Sequence, residues 1–433
     1  MRCFPVVEIA KNRLRPIDHP VTANDAIHAG NYSAELMNLH APFEYLDAAF
    51  SKASAVADIT ASYYGFVLPP EARCFYRFRD SEGRLYQMTR MMFGHVVAAE
   101  IQQIITSIVA GHSDYVAENF VNTCGGRNPD IWVDNVRYCG SANMVGRCLD
   151  RLRDACDACN VRMNIGNVSS ANDFIGFHWT YDASSPTIVL ADKTRLKLPQ
   201  SIPTRAAASE LEQLIGRLIY AAQGQQLPLA AHWWLLKWAR RFFNKLNRGI
   251  IATDDIVDIP ASARRSLDAW CTSARQPVVI RRAKLDGSAA TLFTDATLDS
   301  WGAVLLHERG DITIAGGKFP ADIIASQNIS ACETHAVALA LGAFRAKLGA
   351  IKSLSLFVDN TSAQYAVIRG NPRSAALVDA VVEIWKRIVD SKIELRVGYV
   401  ESAANPADEI SRGRSLDFKK TKNQTNKTHT TKW

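Results

Sequence analysis

Leu-Phe-Thr-Asp-Ala-Thr, residues 292–297, is the stretch that decides the fold of the second half of the chain. A short apolar run that ends in an acid, here Asp295, is typical of a buried strand with a carboxylate at its end. A second such run, residues 354–359 (LSLFVD), ends in Asp359. Residues 331–340 (ACETHAVALA) are rich in alanine and predict a helix with Glu333 near its start. Strands and a helix are therefore each predicted to present one acid.

The segments around these acids follow a regular order. Apolar runs predict strands over 291–295, 301–306, 312–316, 354–359 and 393–400, and helical spacing predicts helices over 331–348, within 361–391 and from Asp408 onward. Three strands followed by alternating helices and strands predict a mixed sheet with helices packed on it. The fourth acid, Asp408, lies in residues 405–412 (NPADEISR).

The acids Asp295, Glu333, Asp359 and Asp408 form a set that suits divalent cations, because Mg²⁺ prefers oxygen ligands and two such ions can assist hydrolysis of a phosphodiester. In this order, over residues 291–413, the set resembles the Asp-Glu-Asp-Asp site of ribonuclease H domains. The resemblance implies that all four acids are catalytic metal ligands. It also implies two Mg²⁺ ions per site, with Mn²⁺ as an alternative. Many cellular relatives have a histidine in the loop before the last acid, and residues 398–407 (GYVESAANPA) have none.

Two stretches of the first half, residues 57–64 (ADITASYY) and 133–135 (VDN), resemble palm motifs of reverse transcriptases. The resemblance is to those of DIRS-like retrotransposons and of the trypanosomatid elements called VIPER. It implies that Asp58 and Asp134 are catalytic and bind metal, also with two Mg²⁺ ions. Residues 131–139 predict a hairpin with Asp134-Asn135 at its turn, since that pair is favourable turn chemistry. Asn135 stands where the family has another aspartate.

Other parts of the first half resemble the nucleotide-binding elements of the same polymerases. Residues 92–95 (MFGH) resemble the motif that packs on template and nucleotide, and residues 11–17 (KNRLRPI) resemble the basic segment of the fingers. Residues 174–178 (FIGFH) resemble the primer-grip strand. The resemblance assigns nucleotide binding to Tyr63, Phe93, Gly94, Lys11, Arg13 and Arg15, with Tyr63 as the gate beneath the sugar.

Residues 233–243 (WWLLKWARRFF) combine aromatic and basic side chains on a predicted helix. In the resemblance this helix falls in the thumb, and the bases Lys237, Arg240 and Arg241 would contact phosphates of the nucleic acid. Packing of the tryptophans between helices explains the same aromatic residues, because large rings dominate protein cores.

Length and composition place these segments in a multidomain protein. At 433 residues, with 48% hydrophobic and 21% charged residues, the chain predicts two to four globular domains. The fold class is α/β and α+β: right-hand polymerase fingers, palm and thumb, followed by a ribonuclease H-like mixed sheet with flanking helices. The predicted bounds are 1–200 for partial fingers and palm, 201–248 for thumb-like helices, 249–290 for a connection, 291–413 for the ribonuclease H-like domain and 414–433 for a disordered basic tail.

Charge and cysteine content add expectations about partners and compartment. The net charge is +7, and residues 418–433 carry five lysines and no acid, which favours contact with a polyanion or a solvated tail. Nine scattered cysteines in a chain of this length predict free thiols in a reducing compartment, so we expect an intracellular protein of the cytoplasm or nucleus. The absence of an apolar stretch of 18 residues predicts no membrane contact.

The sequence thus predicts an RNA-directed DNA polymerase with ribonuclease H activity. Its expected partners are an RNA template, a DNA primer, an RNA–DNA hybrid and dNTPs. Two alternatives stay open. The first is a degenerate element that retains only ribonuclease H activity, because Asn135 and the short fingers depart from the family. The second is a domesticated nucleic-acid-binding protein without enzymatic activity.

Overall fold

A computed structural model describes residues 2–8, 13–21, 24–25, 27, 42–60, 62–80, 82–92, 94–225, 229–280, 287–370, 372 and 374–415. Of the basic tail predicted over residues 414–433, residues 416–433 lie outside these ranges. Among the helices of the described ranges, none is both long and apolar enough to cross a membrane.

The elements are numbered in chain order. The strands are β1 (Arg2–Glu8), β2 (Arg13–His19), β3 (Ala53–Ile59), β4 (Arg77–Arg79), β5 (Leu85–Gln87), β6 (Asp130–Trp132), β7 (Asn135–Gly140), β8 (Met163–Ile165), β9 (Ala171–Phe174), β10 (Phe177–Thr180), β11 (Thr187–Leu190), β12 (Arg205–Ala207), β13 (Ile256–Asp258), β14 (Val278–Val279), β15 (Ser288–Ala296), β16 (Ser300–His307), β17 (Ile312–Lys318), β18 (Ile351–Val358) and β19 (Glu394–Tyr399). The α-helices are α1 (Pro70–Arg73), α2 (Ala98–Val109), α3 (Ala142–Ala158), α4 (Asp192–Arg195), α5 (Ala208–Gly224), α6 (Trp233–Asn247), α7 (Ala261–Ala274), α8 (Ala321–Ala325), α9 (Ile329–Ala343), α10 (Arg345–Leu348), α11 (Thr361–Arg369), α12 (Val378–Ser391) and α13 (Ala407–Ser411). Short 3-10 helices cover Pro42–Phe50, Ser62–Gly65, Glu118–Phe120, Leu229–His232, Ala375–Leu377 and Ser402–Ala404.

The chain divides into two compact units. The first comprises residues 1–197, 223–225 and 274–280, and the second comprises residues 198–222, 226–273 and 281–433. The finer division into fingers, palm, thumb, connection and ribonuclease H-like domain stays a prediction.

The centre of the first unit is a four-stranded antiparallel sheet in the order β6-β7-β3-β8. Small residues of β3, Ala55 and Ala57, face Leu149 and Leu152 of α3 in one apolar core. This packing fixes β3 between β7 and β8. The two strands that carry the motifs quoted above for the first half are therefore neighbours.

A second sheet of the first unit has the order β14-β11-β10-β9. β9 and β10 form a tight hairpin around Ile175 and Gly176, whose φ angles are 47° and 79°. Two consecutive positive φ angles are typical of the two-residue turns that match the twist of paired strands. The residues that resemble a primer grip thus form the tip of a hairpin.

The second unit contains a five-stranded mixed sheet in the order β17-β16-β15-β18-β19. β15 pairs antiparallel with β16 and parallel with β18, and β18 pairs parallel with β19. β15 is buried from Leu292 to Ala296, as expected for the inner part of a central strand covered on both faces. The predicted mixed sheet with flanking helices is therefore present in the described residues.

The last described helix, α13, packs closely on β16 because glycine leaves room for its backbone. A Cβ atom at Gly302 would lie 2.7 Å from the carbonyl oxygen of Ala407 and closer still to the backbone of Ser411. Only glycine avoids this clash. Because β16 lies beside β15 in the sheet, this close packing also places α13 near β15.

Two local predictions from the sequence differ from the structure in detail. The turn between β6 and β7 consists of Val133 and Asp134, and Asn135 instead begins β7 opposite Trp132. The reason is that Asn135 also pairs across the sheet with Asp58, which holds it in the ladder. The helix predicted over 331–348 ends at Ala343 and is followed by the separate turn α10.

Candidate active sites

Three acids of the second unit meet at one edge of its sheet. Carboxylate oxygens of Asp295, Glu333 and Asp359 all lie within 4.8 Å of one another. β15 and β18 are parallel, so their carboxyl ends lie at the same edge, and this places Asp295 beside Asp359. Glu333 reaches the group from α9, where its Oε1 accepts a hydrogen bond from the backbone N–H of Ala296 at 3.3 Å.

The helices at this edge begin close to the acids, and asparagine side chains fix their starts. Asn328 caps α9, and its side chain accepts a hydrogen bond from the N–H of Ala331. Asn360 caps α11 in the same way through the N–H of Ala363. Such caps satisfy donors that a helix start leaves free. They therefore fix the helix that carries Glu333 and the turn that follows Asp359.

Burial and mutual repulsion change the acidity of this group. The pKa of Asp295 is raised to about 7, mainly by burial and also by the charges of Asp359 and Asp408, while a hydrogen bond from Ser411 opposes the rise. The pKa of Glu333 is raised to about 9, mainly by burial and also by the charges of Asp359 and Asp295. Acids packed this closely need a cation if all are to be ionised at neutral pH.

Asp408 lies near this group but not inside it. Its charge acts on Asp295, yet among the described residues the compact set contains only Asp295, Glu333 and Asp359. Asp408 accepts a hydrogen bond from Nε of Arg412 at 2.8 Å, one helical turn further along the chain. Its role as a fourth metal ligand stays a prediction.

The three clustered acids fit a divalent cation. All their candidate ligand atoms are oxygens, which hard cations such as Mg²⁺ prefer. The Oε2 atom of Glu333 is buried and has no hydrogen-bond partner. A buried acceptor without a partner is costly, and a cation at this place would satisfy it.

The same unit contains a cavity of about 370 Å³. Some of the residues that line it are close to these acids in the sequence. Its lining includes Asn328, Ser330, Thr361 and Arg369. Ser330 precedes Glu333 on α9, and Thr361 follows Asp359. Hydroxyl, amide and guanidinium groups are the donors that commonly contact phosphate oxygens of nucleic acids.

The first unit brings Asp58 and the Asp134 turn onto neighbouring strands. Asp58 pairs across the sheet with Asn135, and the N–H of Ile59 donates to the carbonyl oxygen of Asp134 at 3.0 Å. The Asn135 amide donates to Oδ1 of Asp134 at 2.9 Å. In the described part of the chain, no third acid, histidine or cysteine joins Asp58 and Asp134 in a compact set. This site therefore has fewer candidate ligands than the site in the second unit.

Gln103 of α2 holds the turn that presents Asp134. Its side-chain oxygen accepts from the N–H of Val133 at 2.6 Å, and its amide donates to the carbonyl oxygen of Ile131 at 3.3 Å. Val133 has a φ angle of 54°, which is unusual for a β-branched residue and costs about 1–3 kcal/mol. The hydrogen bonds from Gln103 stabilise this strained turn.

Tyr63 lies close enough to the turn to interact with Asp134. It belongs to the 3-10 helix that follows β3. Partial burial raises the pKa of its hydroxyl, and the negative charge of Asp134 raises it further. Tyr63 therefore lies within reach of the charge of Asp134, and its role as a gate beneath the sugar stays a prediction.

The loop before α2 is also held by side chains. Gly94 has a φ angle of 84°, and its carbonyl oxygen accepts a hydrogen bond from Asn24 at 2.8 Å. His95 is buried, and its Nε2 lies 2.6 Å from the hydroxyl of Tyr76. Phe93 lies outside the described residues, so its predicted contact with the nucleotide stays a prediction.

The predicted fingers bases are described only in part. Lys11 lies outside the described residues. Arg13 and Arg15 lie on β2, which pairs with β1, and their side chains are outside the described part of the structure. Binding of the triphosphate by these bases stays a prediction.

The predicted thumb bases lie on α6 in the second unit. Arg240 and Arg241 are exposed, and Nζ of Lys237 lies 4.9 Å from the centre of the Trp233 ring. Trp233 is buried and donates to the carbonyl oxygen of Pro372, whereas Trp234 is 67% exposed. One tryptophan is thus part of the core, and the other is on the surface beside the bases.

Four polar residues near the acids were not identified from the sequence. Ser411 donates to Oδ2 of Asp295, and Ser402 donates to Oδ2 of Asp359 at 2.7 Å. Asn405 donates to the carbonyl oxygen of Thr294 at 2.9 Å. Ser411 and Asn405 lie in the quoted NPADEISR stretch, so that stretch contained a signal for them. Gln103 and Ser402 had none, because they act through contacts between distant segments.

Comparison with known proteins gives a result only at the level of structure. No protein-family model matches the chain, and no curated protein is similar to it in sequence. The chain is similar to solved structures of foamy viral protease-reverse transcriptase. In a complex with double-stranded DNA the TM-score is 0.49 at 11% identity, over 92% of this chain and 65% of that chain. In a complex with an RNA/DNA hybrid the TM-score is 0.49 at 11% identity, over 92% of this chain and 50% of that chain. The chain thus spans less than two thirds of the length of these two proteins.

Proposed function

We propose that this chain is an RNA-directed DNA polymerase with ribonuclease H activity, of the kind found in DIRS-like retrotransposons and VIPER elements. The Asp295 site would hydrolyse the RNA strand of an RNA–DNA hybrid, and the Asp58 site would add dNTPs to a DNA primer on an RNA template. The observation that carries the proposal is the cluster of Asp295, Glu333 and Asp359. It combines two buried acids and a half-buried one, oxygen ligands within 4.8 Å and an acceptor on Glu333 without a partner.

Hydrolysis is the reaction that the second unit suits best. Asp295, Glu333 and Asp359 would hold a divalent cation, with Asp408 as the fourth ligand when a second cation is bound. A bound pair of cations supplies an activated water and charge stabilisation for the leaving oxygen.

The chain's own residues orient these ligands and the substrate. Ser411 holds one oxygen of Asp295, and Ser402 holds one oxygen of Asp359. The donors that line the cavity of the same unit, which include Ser330 and Thr361, would bind phosphates of the hybrid. Recognition of this kind depends on the backbone and shape of the duplex and not on its sequence.

The proposed DNA synthesis is supported by fewer candidate metal ligands than the proposed hydrolysis. Asp58 and Asp134 would bind Mg²⁺, and the neutral amide of Asn135 replaces one acid of the family's motif. Tyr63, beside Asp134, would pack under the sugar and exclude a 2′-hydroxyl. Exposed Arg240 and Arg241, with Lys237, would contact duplex phosphates.

Assays of both activities on one purified sample test the proposal. We expect cleavage of an RNA–DNA hybrid and primer extension, each dependent on Mg²⁺ or Mn²⁺. Asp359→Asn is expected to abolish only cleavage, and Asp58→Ala only extension. Asp322→Asn, a change of an exposed acid in the second unit, is the matched control and should retain both activities.

The same experiment separates the alternatives. Cleavage without extension, lost in Asp359→Asn, would support a degenerate element that retains only ribonuclease H activity; the neutral Asn135 favours this second candidate. Salt-sensitive binding of nucleic acid without either activity would support a non-enzymatic binding protein and contradict both proposed reactions.

A further inference from the structure

Arg137 is a buried cation of the first unit that none of the roles above uses. It lies on β7, three residues after Asp134, and its side chain is 0% exposed. A guanidinium away from water is costly unless a counter-charge and hydrogen bonds replace its hydration. The counter-charge and the hydrogen-bond partners of Arg137 therefore indicate the role of this buried side chain.

The counter-charge is Asp130, directly opposite on β6. Arg137 and Asp130 form a cross-strand pair, in which Nε donates to Oδ2 at 2.9 Å and Nη2 lies 2.8 Å from the same oxygen. Only Val133 and Asp134 connect the two strands. A slip of one residue in this hairpin would turn its side chains to the opposite face. The ion pair opposes that slip and so fixes the face on which Asp134 lies.

The guanidinium of Arg137 also lies against two aromatic rings of a different hairpin. The rings of Phe174 on β9 and Trp179 on β10 each lie with their centres 4.4 Å from Cζ of Arg137. The indole N–H of Trp179 donates to the carbonyl oxygen of Phe174 at 3.0 Å, which closes this second hairpin. A desolvated cation over aromatic rings is attracted to them. Arg137 therefore joins the Asp134 hairpin to the hairpin of residues 174–178.

A chain of hydrogen bonds leads from Arg137 to the strand of Asp58. Nη1 of Arg137 donates to the Tyr181 hydroxyl at 3.4 Å, and that hydroxyl donates to Oδ1 of Asn172 at 2.8 Å. The Asn172 amide donates to the hydroxyl of Ser54 at 2.7 Å. Ser54 lies on β3 with Asp58. The Arg137 side chain thus contacts the Asp134 hairpin and the hairpin of residues 174–178 directly. It is connected to β3, the strand of Asp58, through this chain of hydrogen bonds.

We infer that Arg137 is a positioning residue that sets the distance between Asp134, Asp58 and the hairpin of residues 174–178. Buried ion pairs add little stability compared with apolar side chains of similar size, and their best-supported use is to specify one arrangement. The inference rests on the proposed DNA synthesis, with residues 174–178 supporting the primer end. In such a reaction, a small displacement of the reacting groups lowers the rate strongly.

The test replaces the ion pair by apolar side chains of similar volume, in the variant Asp130→Leu/Arg137→Met. We expect kcat for primer extension to fall at least tenfold, with KM for dNTPs within twofold of wild type. The melting temperature and hybrid cleavage in the second unit should stay unchanged. Arg137→Lys keeps the charge but not the planar fork, and should recover part of the rate.

The matched control is Arg127→Met. Arg127 also donates to Asp130, at 3.1 Å from Oδ1, but its side chain is 35% exposed. This variant removes a cation from the same acid without touching the two aromatic rings, so extension should stay within twofold of wild type.

The outcomes distinguish this inference from the proposed function. If wild type extends primers and the double variant extends them equally well, the inference is overturned and the proposed synthesis stands. If wild type itself does not extend primers, the proposed synthesis fails and the assignment of Arg137 fails with it. If Arg137→Lys and the double variant both lose hybrid cleavage and melt at lower temperature, Arg137 is needed for folding, which overturns its positioning role.

Discussion

The two candidate sites differ in the number of acids that they bring together and in the neutral groups beside those acids. In the second unit, Asp295, Glu333 and Asp359 lie together with oxygens within 4.8 Å. In the first unit, Asp58 and Asp134 have the neutral Asn135 beside them, and the amide of Asn135 bonds to Asp134. Without a cation, the three acids of the second unit repel one another, whereas the first unit brings together only two acids with a neutral amide that donates to one of them.

This difference indicates that the two sites depend on metal to different extents. A cluster of buried acids gains stability when a cation binds, because binding removes both repulsion and an unsatisfied acceptor. A turn whose acid is already bonded to an amide gains less. We therefore expect the second unit to respond to divalent cations more strongly than the first.

The largest expected effect comes from Glu333→Gln. The change keeps the shape of the side chain but removes a charge from the cluster, so hybrid cleavage should fall about 1000-fold, equivalent to several kcal/mol. The variant should also lose the rise in melting temperature that Mg²⁺ gives to wild type. Glu394→Gln, on β19 of the same sheet, is the control because this acid is exposed and pairs with Arg396. Full cleavage by Glu333→Gln would contradict the site.

A change at Asn135 tests the other side of the comparison. Asn135→Asp restores a second acid to the turn, and we expect primer extension in Mg²⁺ to rise up to about tenfold, since oxygen ligands bind this cation best. In a chelator, the new acid faces Asp134 without the amide bond, so the melting temperature of the first unit should fall. A large loss of extension would mean that this site is built differently. Asp157→Asn, a change on the exposed end of α3, serves as a control.

The position of Tyr63 predicts a change in sugar selection. Tyr63→Ala removes the ring beside Asp134 and should raise incorporation of ribonucleotides relative to deoxyribonucleotides about tenfold, the equivalent of about 1.4 kcal/mol. Competition assays with matched nucleotides measure this ratio. Tyr63→Phe keeps the ring and should behave like wild type. Unchanged selection in Tyr63→Ala would contradict the role of a gate.

A smaller effect is expected from Gln103→Leu. The change removes the acceptor for the N–H of Val133 and should reduce extension about fivefold, because one hydrogen bond is worth about 1 kcal/mol. Hybrid cleavage by the second unit is the internal control and should stay constant. An equal loss of both activities would indicate general unfolding and not a loosened turn.

The smallest effect is a pH dependence of stability. In a chelator, the raised pKa values of Asp295, about 7, and Glu333, about 9, mean that the folded state keeps protons that the unfolded chain loses above about pH 4. Their contribution to stability is therefore present at low pH and is lost as the pH rises to about 9. The melting temperature of the second unit should fall by a few degrees over this window. The fall should shrink in Glu333→Gln, and an equal fall in both proteins would contradict the assignment.

Local patterns predicted the elements of the second unit well because its strands are continuous apolar runs. The run that ends in Asp295 and the run that ends in Asp359 are both strands, and Glu333 lies on a helix as predicted. The turn at Asp134 was predicted one residue too late. Its geometry depends on Gln103 and on pairing with Asp58, which are contacts between segments that lie apart in the sequence. The buried pair of Arg137 and Asp130 escaped prediction for the same reason.

The close packing of α13 on Gly302 has a consequence for the order of folding. Ser411 and Asp295 are separated by 116 residues, and Asn405 and Thr294 are separated by 111. Contacts of such large separation form slowly, because a long loop must close before they stabilise the chain. During refolding, the sheet can form from β15 to β19 before α13 arrives. The hydrogen bond by which Ser411 of α13 holds Asp295 should therefore form in a late kinetic phase, after the sheet itself.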